Sequence, residues 1–506
     1  MKLFSADQVR EWDQYTIAHE PIASIDLMER AAGKCVDWLE RNNFIHHSFH
    51  IFCGKGNNGG DGLAIARLLS TMNVQVTVHI LEVGHKGTDD FQVNLARLHR
   101  HPEIVIRFIQ SEDHFQALQE DEIVIDALFG SGLNRGIEGV TASLVQHINK
   151  SGCTIISIDI PSGLFTDRSS KGNTVIEADH TLAFQTYKLA YLVAENRNYI
   201  GEVHILDIGL HTDYYNSGNS RFELVDQSFA REIYKPRSRF GHKGEFGHAL
   251  IIAGSYGKIG AAILSARACL RSGAGLLTCH VPGCGYDILQ TAVPEAMVST
   301  DFNSSFVTGL EESLDPYDAI GIGPGIGKAS ETRSMLKDLQ GRHKKPWVID
   351  ADALNIIASQ KELLDIIPAG SILTPHPKEF ERLFGETATE FDRIELALEM
   401  AKQYGLVIVL KGHHTFIATP GGAGYFNSTG NAGMATGGSG DVLTGILTAL
   451  LAQSYTPVES AILGVYLHGF AGNMAAERLS MEAMTAGDIV DSLGEAFINV
   501  HGLLFK

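Results

Sequence analysis

Gly430 to Gly445 read G-N-A-G-M-A-T-G-G-S-G-D-V-L-T-G, with six glycines in sixteen positions and one acid, Asp441, immediately before an apolar run. Glycine permits positive φ and close backbone approach, so consecutive main-chain N–H groups can line an anion-binding concavity. The apolar run predicts a helix from Val442 to about Leu451, whose positive N-terminus faces the same place. A carboxylate beside a phosphate cradle is repelled unless it takes a proton or holds a metal ion. The stretch therefore indicates phosphate chemistry with a built-in base, rather than a loop that only turns the chain.

The length and composition indicate a globular protein of several domains. A chain of 506 residues is too long for one hydrophobic core, and about two to four domains are expected. The contents of 44% apolar and 20% charged residues are ordinary for soluble proteins. The formal net charge of −19 disfavours a nucleic-acid partner, which normally requires a basic surface. It leaves room for an anionic small-molecule substrate, because a local nest of N–H groups can outweigh a distant charge.

The cysteines and the hydropathy pattern predict a cytoplasmic location. The six cysteines form no C-x-x-C pair, so we expect reduced thiols and no zinc site built on them. Met1 to Glu11 is polar and lacks the apolar region of a signal peptide, and no run of about 18 apolar residues occurs. We therefore expect no membrane partner. Small-molecule substrates and a homo-oligomer are further expectations.

Both halves of the chain alternate strands with helices, the pattern of an α/β protein with buried, mostly parallel sheets. A capping box from Ser5 to Gln8 predicts the start of the first helix, and a second helix is expected from about Ser24. A polar stretch between Gly209 and Asp226 predicts a boundary, with domains at 1–212 and 226–506 and a linker at 213–225. The predicted strands are His50–Cys53, Val74–Leu81, Ile123–Ala127, Thr154–Ile160, Val203–Ile208, Ala249–Ala253, Leu276–Val281, Ala319–Ile322, Trp347–Asp350, Ser371–Thr374 and Leu406–Leu410.

Polar side chains follow three strands of the first half. The segment G-K-G-N-N-G-G-D-G starts at Gly54 after a strand and opens a helix, and its first six residues satisfy the weak dinucleotide pattern G-x-G-x-x-G. Asp126 and Asp159 end two other strands, and Ser162 follows the latter. The carboxyl ends of parallel strands line a common crevice, so these side chains and Asn58 could converge. Their oxygens suit a cation, and one carboxylate suits proton transfer.

The second half offers candidate phosphate and ligand contacts at its strand ends. Lys411 to Thr415 form a tight turn after a strand, where a lysine and a hydroxyl are suitable phosphate donors. Gly321 to Gly327, G-I-G-P-G-I-G, also follow a strand and suit close backbone approach to a ligand. Asp350 and Asp352 end a further strand. His376 lies between two prolines that stiffen its backbone, which makes it a better ligand candidate than an isolated histidine.

Together these motifs resemble the bifunctional NAD(P)H-hydrate repair enzymes. In the first half the resemblance rests on G-N-N-G-G-D-G, D-A-L-F-G-S-G-L-N-R and D-I-P-S-G-L. In the second half it rests on K-G-E-F-G-H-A-L-I-I-A-G-S, A-C-L-R-S-G-A-G-L, G-P-G-I-G, D-A-D-A-L-N, T-P-H-P-K-E and G-M-A-T-G-G-S-G-D-V-L-T-G. The resemblance implies a Rossmann-like three-layer α/β domain that epimerises hydrated NADH and NADPH. It implies that a ribokinase-like α/β domain follows and dehydrates the S form.

For the epimerase domain the resemblance implies catalysis by Asp159 and Lys188. It implies a potassium ion held by Asn58, Asp126 and Ser162. The substrate contacts that it implies are Asn57, Asn58, Gly59, Gly60, Asp61, Gly130, Ser131, Gly132, Leu133, Asn134, Arg135, Gly136 and Asp159.

For the dehydratase domain the resemblance implies catalysis by Asp441, with ADP as co-substrate and Mg²⁺ at the site. The contacts that it implies to the hydrated nicotinamide are Ala261, Ala262, Gly323, His376 and Asp441. The contacts that it implies to the nucleotide are Lys411, Gly412, His413, His414, Thr415 and Gly440.

The chemistry agrees with this interpretation, because phosphorylation would turn the poorly leaving hydroxyl of the hydrate into a good leaving group. Asp441 would take the hydroxyl proton, and the glycine loop would stabilise the developing charge. Two alternatives remain: a ribokinase-like kinase for a small molecule such as a vitamin precursor, and a first half that is a non-catalytic binding module. The preference for ADP or ATP, and for the NADH or NADPH hydrate, is left open.

Overall fold

A computed structural model describes residues 1–82 and 86–502 of the chain. The chain divides into two compact units, an N-terminal unit that spans 2–220 and a C-terminal unit that begins at Arg221. Of the helices in these described residues, none combines the length and apolar character needed to cross a lipid bilayer.

The N-terminal unit contains eight strands and seven α-helices within the described residues. They are β1 (Lys2–Leu3), α1 (Ala6–His19), α2 (Ser24–Arg41), β2 (Phe49–Cys53), α3 (Asn57–Thr71), β3 (Val76–Leu81), α4 (Asp89–Leu98), β4 (Val105–Ile109), β5 (Ile123–Ala127), α5 (Gly139–Asn149), β6 (Thr154–Ile158), β7 (His180–Phe184), α6 (Arg197–Ile200), β8 (Glu202–Leu206) and α7 (Thr212–Ser217). The capping box predicted at the start of α1 is confirmed, since Ser5 accepts from the Gln8 backbone and Gln8 accepts from the Ser5 backbone.

Seven parallel strands form the sheet of this unit, in the order β4-β3-β2-β5-β6-β7-β8. The prediction of a parallel α/β sheet is confirmed. The prediction missed β4, which is largely exposed and interrupted by Arg107, and β7, whose apolar part is only L-A-F. The strand order reverses between β2 and β5, where Phe52 pairs with Asp126. Such a reversal opens a crevice at the carboxyl ends of the strands, where ligands bind in open α/β sheets.

The C-terminal unit is larger and ends in three helices of 14, 23 and 16 residues. Its elements are β9 (Phe222–Val225), α8 (Gln227–Ile233), β10 (His248–Ile252), α9 (Ile259–Arg271), β11 (Leu276–Val281), α10 (Tyr286–Ala292), β12 (Met297–Thr300), β13 (Ala319–Ile322), α11 (Ser330–Arg342), β14 (Trp347–Ile349), α12 (Ala351–Ser359), β15 (Ile372–Leu373), α13 (Pro377–Phe384), α14 (Glu390–Tyr404), β16 (Val407–Leu410), β17 (Phe416–Ala418), β18 (Gly424–Asn427), α15 (Ser439–Ala452), α16 (Pro457–Leu479) and α17 (Ala486–His501).

The strands of this unit run in the order β9-β18-β17-β16-β15-β14-β13-β10-β11-β12. Neighbours from β16 to β12 are parallel, whereas β17 is antiparallel to both β16 and β18. The strand order reverses between β10 and β13, which creates a second crevice at the carboxyl ends. Within residues 1–82 and 86–502 all six cysteines are free thiols, and Cys284 alone among them is not buried.

The helix α15 packs against α9 at one face of the second sheet. Its residues Val442–Ala452 are buried, which accounts for an apolar run without a polar face. A Cβ at Gly445 would lie 2.2 Å from the Ser265 backbone oxygen of α9, so only glycine permits this close approach. The first turn of α15 lies beside the middle of α9, where the Ser265 hydroxyl donates to the Asp441 backbone oxygen at 2.9 Å.

Candidate functional site

The N-terminal crevice is shaped by the glycine turn between β2 and α3. A Cβ at Gly59 would lie 1.7 Å from the Gly54 oxygen, and one at Gly54 would lie 2.0 Å from the Leu128 oxygen. Both positions therefore require glycine, and the turn brings the N-terminus of α3 against the end of β5. The polar start of α3 faces the crevice because the helix begins directly at Asn57.

A cavity of about 550 Å³ occupies this crevice. The residues that line it and were predicted from the sequence are Asn57, Asn58, Asp61, Gly130, Ser131, Gly132, Leu133, Asn134, Arg135 and Asp159. Within the described residues the lining leaves out Gly59, Gly60, Gly136, Lys188, Asp126 and Ser162. The structure thus brings together most of the predicted substrate contacts, with the remaining polar groups beneath or beside them.

A polar cluster beneath the cavity centres on Asp126, which is fully buried. Its carboxylate accepts hydrogen bonds from the Ser157 hydroxyl at 2.8 Å and from the Ser162 backbone and hydroxyl at 2.8 and 2.6 Å. Burial raises the pKa of Asp126, and these hydrogen bonds oppose the rise. The buried side-chain amide of Asn58 finds no hydrogen-bond partner among the described residues, and Gly130 lies beside it. A buried, unpaired amide oxygen suits a hard cation as a ligand, as do the oxygens of a carboxylate and a hydroxyl.

Asp159 and Lys188 form an ion pair at the rim of the same crevice. The Lys188 ammonium donates to Asp159 Oδ1 at 2.8 Å, and the lysine side chain is fully buried. Asp159 has a φ of 65°, a left-handed conformation that is rare for a residue with a side chain. The Tyr191 hydroxyl donates to the Asp159 backbone oxygen and helps to hold this conformation. The pair therefore presents a fixed carboxylate to the cavity, with its countercharge behind it.

Asp13 of α1 is a cavity residue that the sequence analysis missed. It lines the cavity with Arg10, and burial, followed by the charge of Asp159, raises its pKa to about 7 while Lys188 opposes the rise. Burial likewise raises the pKa of Asp61 well above its ordinary value, with Asp159 and Asp13 adding to it. The sequence signal that could have revealed Asp13 is its position directly after Trp12, a buried residue of the amphipathic helix α1. Three carboxyl groups thus share one crevice and favour at least one proton among them.

The second crevice holds a cavity of about 480 Å³ between the loops that follow β10 and β13. The residues that line it are Gly257, Lys258, Gly260, Ala261, Gly325, Ala351, Asp352, Asn355, Glu379 and Asp441. Of these, the sequence analysis predicted Ala261 and Asp441 as substrate contacts, and it also singled out Gly325, within Gly321–Gly327, and Asp352 at a strand end. Asp352 accepts from the Gly327 backbone at 3.0 Å and lies 3.6 Å from the Lys258 ammonium, so it fixes the glycine loop after β13.

Asp441 lies in the first turn of α15, not before the helix. The predicted start at Val442 was wrong, because Gly438 adopts a left-handed φ of 95° at the N-cap and the helix begins at Ser439. Burial is the main cause that raises the pKa of Asp441 to about 6, Asp350 and Asp352 add to the rise, and Lys411 opposes it. A carboxylate with a pKa near the working pH, at a positive helix end, is suited to act as a general base.

Lys411 forms the second charged centre of this unit. Its ammonium donates to Asp350 Oδ1 at 2.8 Å and lies 3.9 Å from Glu379 Oε2. Burial disfavours the charge of Lys411, but Asp350 and then Glu379 outweigh burial and raise its pKa. A Cβ at Gly440 would lie 3.6 Å from the ammonium, so the lysine reaches the start of α15. Asp350 was predicted at a strand end. Glu379 was not predicted as a site residue, although it ends the quoted motif T-P-H-P-K-E.

The remaining predicted positions do not line the cavity, as far as the described residues show. His376 caps α13, since its Nδ1 accepts from the Glu379 backbone at 3.3 Å, and its side chain is half exposed. Ala262 is fully buried. The remaining predicted positions outside the lining are Gly323, Gly412, His413, His414, Thr415 and Gly440.

Comparison with known proteins agrees with this division. Residues 249–494 match a family model described as NAD(P)H-hydrate dehydratase, and residues 24–190 match one described as YjeF-related protein N-terminus. The bifunctional NAD(P)H-hydrate repair enzyme of Moorella thermoacetica is 36% identical, over 99% of this chain and 97% of the relative. This match extends through both halves, and it favours a bifunctional enzyme over a small-molecule kinase with an accessory binding module.

Solved structures match the second half. A ribokinase-like superfamily protein of Enterococcus faecalis is 28% identical, with a TM-score of 0.50, and the match covers 56% of this chain and 98% of that one. An ADP/ATP-dependent NAD(P)H-hydrate dehydratase of Bacillus subtilis, co-crystallised with ATP and Mg²⁺, is 31% identical over 55% of this chain and 98% of its own, with a TM-score of 0.48. The C-terminal unit is thus ribokinase-like, and the seven-stranded parallel sheet makes the N-terminal unit Rossmann-like. By its full-length similarity and its two matching domain families, the chain belongs to the family of bifunctional NAD(P)H-hydrate repair enzymes.

Proposed function

We propose that the two crevices perform successive steps of one repair reaction. The N-terminal crevice interconverts the R and S forms of hydrated NADH or NADPH. The C-terminal crevice dehydrates the S form to NADH or NADPH with consumption of ADP. The observation that carries the proposal is Asp441, a carboxyl group with a pKa of about 6 at the start of α15, beside the Lys411–Asp350 ion pair.

The dehydration requires that a hydroxyl group become a good leaving group. In the proposed step Asp441 takes the proton of the hydrate hydroxyl, and the oxygen attacks the terminal phosphoryl group of ADP and releases AMP. Loss of the phosphate from the ring, with a proton from the neighbouring carbon, regenerates the reduced nicotinamide. The backbone N–H groups at the start of α15 would stabilise the charge that develops on the phosphoryl oxygens.

The chemistry of the second crevice supports the proposed contacts to the nucleotide and its metal ion. Lys411, held in its charged form by Asp350, would bind phosphate oxygens close to Gly440. We propose that Lys411 to Thr415 contact ADP and that Ala261, Ala262, Gly323 and His376 contact the hydrate or hold its contacts in position. Mg²⁺ would be bound by phosphate oxygens together with carboxylates that line the cavity, of which Asp352 and Glu379 are the available ones.

For the epimerase we propose that Asp159 transfers the proton and that Lys188 keeps Asp159 oriented. Their 2.8 Å contact and the burial of the lysine support these roles. Asn57 to Asp61 and Gly130 to Gly136 would hold the substrate. A potassium ion would be held by Asn58, Asp126 and Ser162, where the unpaired amide of Asn58 fits such an ion and where its charge would assist binding of substrate phosphates.

Domain limits and assembly complete the proposal. We propose an epimerase domain at 1–212, a dehydratase domain at 226–506 and a connection at 213–225, which is supported by the change of compact unit at Arg221.

We also propose a homo-oligomer, because the edge strand β4 exposes Val105 and Phe108 at 48% and 43%. Exposed apolar edge strands favour pairing. Light scattering of wild type and of Phe108→Lys tests it, and a monomeric wild type would exclude it.

The test of function is the recovery of NADH absorbance from a mixture of R and S hydrates, with ADP and Mg²⁺ present or absent. Complete recovery that depends on the nucleotide is expected. The matched variants are Asp159→Asn, which should stop recovery near the S fraction, and Asp441→Asn, which should abolish it. Nucleotide-dependent release of a stable phosphorylated product without NADH would contradict the proposal and indicate a kinase.

A further inference from the structure

Three potential metal ligands lie together at the amino ends of β7 and β8. His180 begins β7, Glu202 begins β8, and His204 follows two residues later. The two strands are parallel, and His180 pairs with Glu202 while Leu182 pairs with His204. Since alternate residues of a strand share one face, all three side chains project from the same face of the sheet.

The distances between their donor atoms match those around a tetrahedrally coordinated ion. His180 Nδ1 lies 3.2 Å from His204 Nε2, and Glu202 Oε2 lies 3.9 Å from each of these nitrogens. A tetrahedral zinc ion with bonds of about 2.0 to 2.1 Å needs neighbouring donors roughly 3.3 Å apart. The two nitrogens already have this separation. Glu202 is 71% exposed and can close the remaining gap by a change of rotamer.

Aromatic neighbours fix the two imidazole rings. The Trp38 ring lies 4.7 Å from the His204 ring and 5.3 Å from the His180 ring, and Phe44 packs edge-on against His180 at 5.7 Å. Metal ions bind the neutral form of an imidazole ring. Without a metal ion, one N–H···N hydrogen bond would join the two rings. The experiments below distinguish the metal-bound pair from the hydrogen-bonded pair.

We propose that His180, Glu202 and His204 bind one divalent transition-metal ion, with zinc as the best match, and leave a fourth position for water. Two imidazoles and one carboxylate are ligands that zinc accepts, whereas Mg²⁺ and K⁺ prefer oxygen donors. The site is distinct from the epimerase crevice. His180 begins β7, and Phe184 at its other end lines the crevice, about 13 Å away along the strand. The ion would join the edge strand β8 to β7 and stabilise that edge.

The first experiment titrates Zn²⁺ into the tag-free, full-length protein by calorimetry, with Mg²⁺ and K⁺ present in excess. One saturable zinc ion per chain is expected. The double variant His180→Ala/His204→Ala should bind at least about 100-fold more weakly, because two of three ligands are lost. His99→Ala, which removes an exposed histidine after α4 of the same unit, should bind as wild type does. Absence of saturable binding, or equal binding by the double variant, would overturn the proposal.

A second measurement is independent of any loss of packing in the double variant. Glu202→Gln changes an exposed side chain and leaves both rings in place, so its fold should be unchanged by circular dichroism. Its affinity for zinc should fall about tenfold or more. Zinc should raise the thermal midpoint of wild type more than that of Glu202→Gln, since a ligand stabilises the state that binds it. An equal rise for both proteins would indicate binding elsewhere and would refute the site.

Trp38 supplies a local spectroscopic reporter. Cu²⁺ bound between the imidazoles should quench its fluorescence, because the indole lies 4.7 Å from His204. Trp38→Phe should lose most of this quenching but retain the stoichiometry of zinc binding. Trp12 and Trp347, which are buried in other parts of the chain, provide the remaining emission. Quenching that survives in Trp38→Phe would contradict a metal at this position.

Discussion

Replacing Asp441 by asparagine separates two consequences of the same buried carboxyl group. The pKa of this group is about 6 in the folded protein and 3.8 in an exposed reference, with burial as the main cause. The difference corresponds to on the order of 3 kcal/mol between the charged and neutral forms. At pH 7 the wild-type group is mostly ionised, so the folded protein bears this penalty. The variant removes the charge and keeps the shape of the side chain.

The direction of the stability change follows from the linkage between protonation and folding. A carboxyl group whose pKa is raised on folding stabilises the protein fully below pH 3.8, and this stabilisation is lost as the pH rises through about 6. Asp441→Asn should therefore raise the free energy of unfolding at pH 7 by up to on the order of 3 kcal/mol. The difference from wild type should vanish below about pH 4.

The activity of the same variant should change in the opposite direction. Loss of a general base lowers rates by about 10²- to 10⁴-fold, so NADH recovery from the S hydrate should nearly cease at pH 7. In wild type, kcat/KM for dehydration should decline as the pH falls through about 6, because the base becomes protonated.

The assay combines urea unfolding with the absorbance of recovered NADH. Asp287→Asn is the matched control, because Asp287 occupies the first turn of α10 but is exposed. This control should change neither the free energy of unfolding nor the rate of NADH recovery measurably. A variant of Asp441 that retains full activity would refute its role as base, and one that is less stable than wild type at pH 7 would refute the burial argument.

Three further predictions concern the N-terminal unit. Lys188→Met removes the charged partner of Asp159, so the free energy of unfolding measured in urea should fall by about 3 to 5 kcal/mol. In the same variant, NADH recovery should stop once the S form has been consumed. Asn58→Ala removes the unpaired amide, so exchange of Na⁺ for K⁺ should raise the thermal midpoint of wild type and not of this variant; equal rises would argue against the potassium site. Asp13 has a pKa raised to about 7, so its protonated form stabilises the fold and this contribution is lost as the pH rises through 7. Asp13→Asn should accordingly be more stable than wild type at pH 8 and equal to it below pH 4, and a constant difference across this range would exclude the assigned pKa.

Local patterns in the sequence were sufficient to find the strand ends and their polar residues. Asp126 and Asp159 follow apolar runs that are strands in the structure, and parallel pairing brings those ends together. The start of α15 was misplaced because the backbone conformation of Gly438 decides it, and apolar periodicity does not report φ. Asp13 was missed because its role depends on α1 lying over the crevice, which no local pattern specifies.

The three proposed zinc ligands illustrate the same limit of prediction from local sequence. His180 is separated from Glu202 by more than twenty positions in the sequence, and β7 was not predicted as a strand. Only the register between β7 and β8 places the three donor atoms together. Sequence spacing reveals metal sites whose ligands come from one turn or helix, whereas sites assembled across strands require the pairing to be known.

The close approach of α15 and α9 at Gly445 has a mechanical consequence. No side chain separates the two backbones at this position, so the contact offers no compressible layer between them. The carboxyl group of Asp441, the proposed general base, lies one turn before this contact on α15, and Ala261 lies one turn before Ser265 on α9. A displacement of one helix should therefore displace the other. We expect the cavity walls that carry Asp441 and Ala261 to move together as one rigid body when substrate binds, rather than independently.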